Sequence, residues 1–303
     1  MFKRWAALLL GLVVVGSFSA CGDGNDQSNS QQESRIKVSV TFDAMKEFVA
    51  AVGKDKVEIS TIIPAGTEPH DFEPKAQDLA ALSKAKVFVY SGLGMEGWAE
   101  EAIQAADNAA LVSVEASKGA DAIKNTEQEE IEEHGQYDPH IWLSLKGAQL
   151  QVKNIKDGLV RADPSNKAYY EENCDNFVSR LESLYSEYTE KFQSVQKKSF
   201  VTGHAAFGYL CREFGLAQNS VEDTFAEGEP TAQQLAELVE YCKENKVKTI
   251  FAEEMASPAV SQTLANEVGA KVETIYTIES NEDDKTYLER IKENLSKIYD
   301  SLK

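Results

Sequence analysis

The stretch NKAYYEENCDNFVSRLESLYSEYTEKFQSVQK, residues 166–197, runs without a glycine or a proline. Within it Tyr169, Phe177, Leu181, Leu184, Tyr185, Tyr188 and Phe192 are spaced mostly by three or four, which draws an apolar stripe along one face of a helix. At 1.5 Å per residue such a helix spans on the order of 45 Å, more than a domain helix usually needs. Asp163-Pro164-Ser165 just ahead of it gives a stop and a fresh start. A helix this long is either a coiled-coil partner or a rigid strut between two lobes. The flanking sequence decides for the strut.

On its N-terminal side short apolar runs at 36–40, 57–63 and 87–90 read as strands, and 44–52, 74–85 and 98–105 read as helices. A further helix starts after His140 and runs towards Ala162. On its C-terminal side the same rhythm resumes, with strands at 199–202, 249–252 and 272–276 and helices at 205–214, 231–244, 259–268 and 285–302. Alternation of this kind is the mark of βαβ units and a parallel sheet. The expected fold class is therefore α/β: two Rossmann-like lobes, residues 35–163 and 198–303, joined by one long rigid helix at 164–197.

The N-terminus speaks to the compartment. Lys3 and Arg4 form a positive n-region, residues 5–15 an apolar h-region, and Ser17-Phe18-Ser19-Ala20 places small residues before Cys21. That is a signal peptide over 1–20, too short in its apolar run for the ~20 residues of a spanning helix. The small residues before Cys21 resemble a bacterial lipoprotein cleavage box, with Phe18 where leucine is usual. Cys21 then becomes a lipid anchor, and residues 21–34, rich in Gly, Asn, Gln and Ser, a flexible tether. Roughly 270 residues remain beyond it, which fits two domains better than one core.

Loss of the leader takes the basic count from 31 to 29 against 50 acidic residues, a net charge of −21. Nucleic acid is excluded as a partner by that balance, whereas cations are concentrated near such a surface. Cys174, Cys211 and Cys242 have no C-x-x-C spacing, so neither a disulfide framework nor a thiolate metal site is expected.

The chain has four histidines. His70 lies in the loop Pro69-His70-Asp71-Phe72-Glu73-Pro74 between a strand and a helix, and His204 in Thr202-Gly203-His204-Ala205 directly after a strand. His140, in Asp138-Pro139-His140-Ile141-Trp142, opens another helix. Ligands of α/β sheets bind beyond the carboxyl ends of strands, where His70 and His204 stand. A preceding proline or glycine fixes or frees the backbone beside each of the three, with Gly203 expected to permit a turn other residues resist. Spacings of 70 and 64 residues are not a local metal motif, so a dispersed site is the reading.

Pro-His-Asp-Phe-Glu-Pro, Asp-Pro-His-Ile-Trp, Gly-His-Ala-Ala-Phe-Gly-Tyr and Glu229-Pro230-Thr231, in that order, resemble the metal-binding solute-binding lipoproteins of bacterial zinc and manganese ABC transporters. The resemblance runs from the leader to Lys303. It implies a periplasmic-binding-protein-like fold of the helical-backbone type, an ion between the lobes, and a monomer that serves a membrane permease and its ATPase. By the same resemblance His70, His140 and His204 are metal ligands. Manganese-type members usually carry a carboxylate at the third position, so His204 points to Zn²⁺ with Mn²⁺ as the alternative, in keeping with the preference of imidazole for zinc. Many members place an aspartate after the last strand; this chain has Ile275-Tyr276-Thr277-Ile278-Glu279-Ser280, and Glu279 is the expected fourth ligand. Zinc-type members also carry a histidine-rich loop, whose counterpart here is acidic with His134 as an auxiliary ligand. Two other classes compete with capture and transport: a zinc hydrolase with Glu279 as general base, and an adhesin or structural lipoprotein that uses metal only to fold.

Overall fold

The computed structural model describes residues 35–126, 131, 135–224, 231–254, 258–281 and 283–303. The leader, the tether with Cys21, His134 and Glu229-Pro230 lie outside the described residues.

Two wholly parallel, four-stranded sheets form the two lobes. β1 (Ile36–Val40), β2 (Val57–Thr61), β3 (Val87–Tyr90) and β4 (Val112–Glu115) lie in the order β2-β1-β3-β4. β5 (Ser199–Thr202), β6 (Ala217–Ser220), β7 (Thr249–Glu253) and β8 (Lys271–Ile275) repeat that order as β6-β5-β7-β8. In the first sheet Val38 pairs with Ile59 on one side and Val87 on the other, and in the second Val201 pairs with Ile250. Val38, Val40, Val87 and Val89 are fully buried, as strands covered on both faces must be. Each sheet reverses its winding direction beside its first strand, opening a crevice at the carboxyl ends of β1 and β3 and of β5 and β7.

The helices are α1 (Asp43–Gly53), α2 (Ala99–Ala105), α3 (Leu145–Ala162), α4 (Lys167–Ser194), α5 (Gly208–Phe214), α6 (Ala232–Glu244), α7 (Ala259–Val268) and α8 (Tyr287–Ser301). The long helix is present as α4, 28 residues that span about 42 Å at 1.5 Å per residue. The Asp163 carboxylate organises its start by accepting from Ser165, Asn166 and the Tyr170 hydroxyl. Its stripe serves both lobes in turn. Phe177 meets Phe48 of α1 edge to face at 6.1 Å, whereas Phe192 packs against Phe214 of α5 at 5.1 Å and Tyr299 of α8 at 6.1 Å. The helix is thus a strut.

α8 returns across α4 to α1. Tyr287 packs on Phe48 with ring centroids 4.7 Å apart, and its hydroxyl donates to the Trp142 carbonyl at 2.6 Å. Arg290, 1 % exposed, donates to the Asp43 carboxylate at 2.5 Å and to the Ser280 carbonyl at 2.7 Å. Residue 290 is thereby tied to residue 43, and the segment that bears Glu279 is tied to the first lobe.

Three local expectations are corrected. Residues 74–85 do not form an α-helix: after two turn residues, Asp78–Lys84 is a 3₁₀ helix. The Asp78 carboxylate takes the Lys75 N–H at 2.8 Å and the backbone closes i to i+3, with Leu82 as the single buried side chain of the segment. The helix expected from 205 begins at Gly208, because Ala205 and Phe207 give their N–H groups to the Asp223 carbonyl and the Gln218 side chain instead. The strands β4 and β6 add edges to the sheets where the sequence reading had none. β6 is Ala-Gln-Asn-Ser, without a β-branched residue, and is paired because Ser199, Phe200, Val201 and Thr202 offer it a complete partner.

The Arg290–Asp43 pair gives a test of the return crossing. Arg290→Met leaves the buried Asp43 carboxylate with only the half-exposed Lys46 ammonium at 3.4 Å, so urea unfolding should show a loss of up to about 3–5 kcal/mol, part of which Asp43→Ala in the same chain should restore.

Candidate metal centre

His70 sits on the loop that leaves β2. That loop is pinned to the sheet edge by Ile62 N–H to Val40 O and Ile63 N–H to Thr41 O, each at 2.9 Å. The His70 N–H donates to Glu68, and the imidazole is 1 % exposed. His140 precedes a short 3₁₀ turn, Ile141–Leu143, and is fully buried. Asp138 governs it: one carboxylate oxygen accepts the His140 N–H at 2.9 Å and Nδ1–H at 3.0 Å. With Nδ1 carrying the proton, the Nε2 lone pair faces inward.

His204 follows β5. Its N–H donates to Glu253 Oε1 at 3.1 Å, its Nδ1 stands 3.7 Å from the same oxygen, and its carbonyl accepts from Thr202 and Gln218. The glycine before it does not occupy the left-handed region expected of a forced turn. Space is the reason for it: a Cβ on Gly203 would come within 1.9 Å of Glu253 Oε2. The carboxylate could not reach His204 past any other residue.

Glu279 follows β8 and is 5 % exposed. Its carbonyl accepts the Asp43 N–H at 3.2 Å, and Oε2 accepts the Thr277 hydroxyl at 2.8 Å. Oε1 has no hydrogen-bond partner among the described residues. It lies 3.8 Å from His70 Nε2 and 3.7 Å from His140 Nε2.

The four side chains meet. Nε2 of His140 is 3.1 Å from that of His70 and 3.3 Å from that of His204, and one donor atom from each of the four residues lies within 4.8 Å of the others. A tetrahedral ion with bonds of about 2.0–2.1 Å sets its ligands about 3.3–3.4 Å apart; the two His140 pairs, at 3.1 and 3.3 Å, stand near that spacing, and the Glu279 oxygen, at 3.7 and 3.8 Å, stands wider. The orphaned Oε1 aims at the same centre.

Electrostatics agree with that geometry. Burial, and then His140 beside it, hold the His204 imidazole well below its ordinary value, so it is neutral and free to donate a lone pair. Burial pushes the Glu279 carboxyl well above the usual range, with Glu68, Glu254 and Glu253 adding repulsion. Burial also raises Glu68 and Glu254 and carries Glu253 up to about 7. Imidazole nitrogens and crowded carboxylates turned on one centre make a pocket suited to a cation.

Asp138, Glu253 and Glu254 escaped the sequence reading as participants. For Asp138 the signal was its place two residues before His140; for the glutamate pair it was acid at the carboxyl end of a strand inside a parallel sheet, beside the crevice.

Residues 38–301 match the family described as ZnuA, zinc-uptake complex component A, periplasmic. A protein of Treponema pallidum (strain Nichols), named for metal binding, is 45 % identical over 273 residues, 88 % of this chain and 86 % of its own length. The high-affinity zinc uptake system protein ZnuA of Bacillus subtilis (strain 168) is 39 % identical over 316 residues, covering 100 % of this chain and 99 % of its own. Among solved structures, a mutant of the laminin-binding adhesin Lmb of Streptococcus agalactiae is 34 % identical and superposes with a TM-score of 0.82 over 88 % of this chain and 100 % of that one.

Glu253 yields a test that needs no metal. Its folded value of about 7 exceeds the ordinary 4.5, so the native chain keeps a proton there that the unfolded chain has lost. Stability from this group is therefore full below about pH 4.5 and drains away as pH rises through about 7. Metal-free Glu253→Gln should be more stable than the wild-type chain at pH 8 by on the order of 3 kcal/mol in urea unfolding, with the gap closing near pH 4.5.

Proposed function

The chain belongs to the zinc-uptake complex component A family, and from that premise we propose that His70, His140, His204 and Glu279 are the four ligands of the zinc ion it carries. It is the extracytoplasmic, zinc-binding component of an ABC uptake system. The observation that carries the ligand assignment is the convergence of four donors from separate loops to within 4.8 Å, with neighbouring pairs at tetrahedral spacing.

Each feature of the cluster suits cargo. Three imidazoles and one carboxylate favour Zn²⁺ over Mn²⁺, which prefers oxygen. Four protein donors fill a tetrahedron and leave no open position at which a water could be activated, which weighs against a hydrolase. The Asp138 carboxylate on Nδ1 fixes which ring nitrogen of His140 faces the ion.

In this reading the protein works as a monomer held to the membrane surface by lipid on Cys21. It takes zinc from solution and passes it to a permease driven by an ATPase. His134, within the acidic stretch 127–134 of the sequence, serves as a weak outer ligand. The membrane itself is not crossed by any described helix, none being long and apolar enough.

Metal-free protein offered Zn²⁺ and Mn²⁺ in competition should take zinc. His204→Ala and Glu279→Ala should each weaken zinc binding, and apparent affinity should fall as pH drops, because the Glu279 carboxyl, raised by burial, holds a proton that it must release to bind zinc. Preference for manganese would overturn the zinc assignment, and an unchanged affinity in either variant would remove that residue from the site.

A further inference from the structure

β7 ends at Glu253 and Glu254 follows it; the first bonds to a member of the donor cluster and the second to the backbone just before another. Glu253 bonds to His204, as described above. Glu254 turns the other way. Its Oε2 accepts the Thr277 N–H at 2.9 Å and its Oε1 the Ile278 N–H at 3.1 Å. Glu254 is not among the four converging donors, since both of its oxygens are spent on backbone.

What it grips is strained. Ile278 is fully buried with φ of 59°, a left-handed backbone that a β-branched side chain resists. A residue is kept in such a conformation only when its surroundings hold it there. Here the hold is fourfold: Glu254 takes the N–H groups of 277 and 278, Trp142 Nε1–H donates to the Thr277 carbonyl at 2.7 Å, and Asp43 N–H donates to the Glu279 carbonyl. Relaxation of Ile278 to an extended backbone would swing the next residue, Glu279, away from the imidazoles. Of these holds, Glu254 is the one that comes from the second sheet.

We propose that Glu254 is the positioning residue for Glu279, so that the pair Glu253-Glu254 aims two of the four zinc donors from a single strand end. This rests on the ligand assignment made above. Glu254 acts through the backbone of 277–278 and does not touch the ion. Because the same strand end aims His204, the two donors contributed after α4 are set by one rigid element.

The test uses the full chain, with zinc affinity measured against a competing chelator and the visible absorption of bound Co²⁺ as the report on coordination geometry. Glu254→Ala should weaken zinc 10–100-fold, the range for loss of a group that orients a ligand, and should move the cobalt spectrum towards that of Glu279→Ala. Glu254→Gln keeps one acceptor and should recover part of both. Adding Glu279→Ala to Glu254→Ala should cost less than Glu279→Ala does alone. Wild-type affinity and spectrum in Glu254→Ala, or full additivity with Glu279→Ala, overturns the proposal while leaving Glu279 a ligand. If Glu279→Ala itself changes neither zinc affinity nor the cobalt spectrum, the ligand assignment fails and takes the proposal with it. Should Glu254→Ala not fold, Glu254→Gln carries the same comparison.

Discussion

Four donor atoms held within 4.8 Å of one another, three of them imidazole nitrogens and one an oxygen of a buried carboxylate, are the constraint to which the rest of the molecule is fitted. Such a cluster is unfavourable on its own terms. Lone pairs face one another, and a carboxylate removed from water loses its hydration with no cation to replace it. A divalent ion reverses every one of these terms at once. The chain therefore has to keep the donors together while the site is metal-free, and that task falls on the scaffold.

The scaffold meets it with stiffness at several levels. The buried central strands β1, β3, β5 and β7 anchor the parallel sheets from whose strand ends the donor loops depart. Carboxylates then fix two of the donors: Asp138 for His140 and Glu253 for His204. The two lobes are held by α4 along one side and by the return of α8 along α1, where Arg290 and Asp43 neutralise each other out of water. Glu279 lies after the last strand of the second sheet, yet its carbonyl is bonded to Asp43 and the adjoining Ser280 side chain accepts from the Gly66 N–H, both in the first lobe. A count of the donors by position in the sequence would divide them two and two; the hydrogen bonds give Glu279 to both sides.

The α/β class, the two lobes and the long helix were legible because they rest on periodicity, and periodicity survives in a single sequence. Val38, Val40, Phe177 and Leu181 announce their burial by spacing alone. The histidines were legible for a different reason, scarcity: four in the chain, three of them in loops beside a proline or glycine. What stayed hidden depends on partners far away in the chain. β6 has no strand-like composition and exists because β5 offers it hydrogen bonds. Gly203 looked like a turn residue and is small because of Glu253, fifty positions on. Glu254 was one acid among 50 until the backbone of Thr277 and Ile278 was seen to end on it.

The contact between Arg290 and Asp43 joins residues 247 apart in sequence. Closing so long a loop is slow and comes late, since its entropy has to be overcome before the contact gives anything back. Domains made first at the N-terminus can fold as they emerge. His70 and His140 can be in place by then, but the Glu279 segment cannot settle against Asp43 until the last helix has docked. The donor cluster is therefore completed only when the last helix has docked, and a half-made chain gathers two imidazoles where the finished one gathers three and a carboxylate.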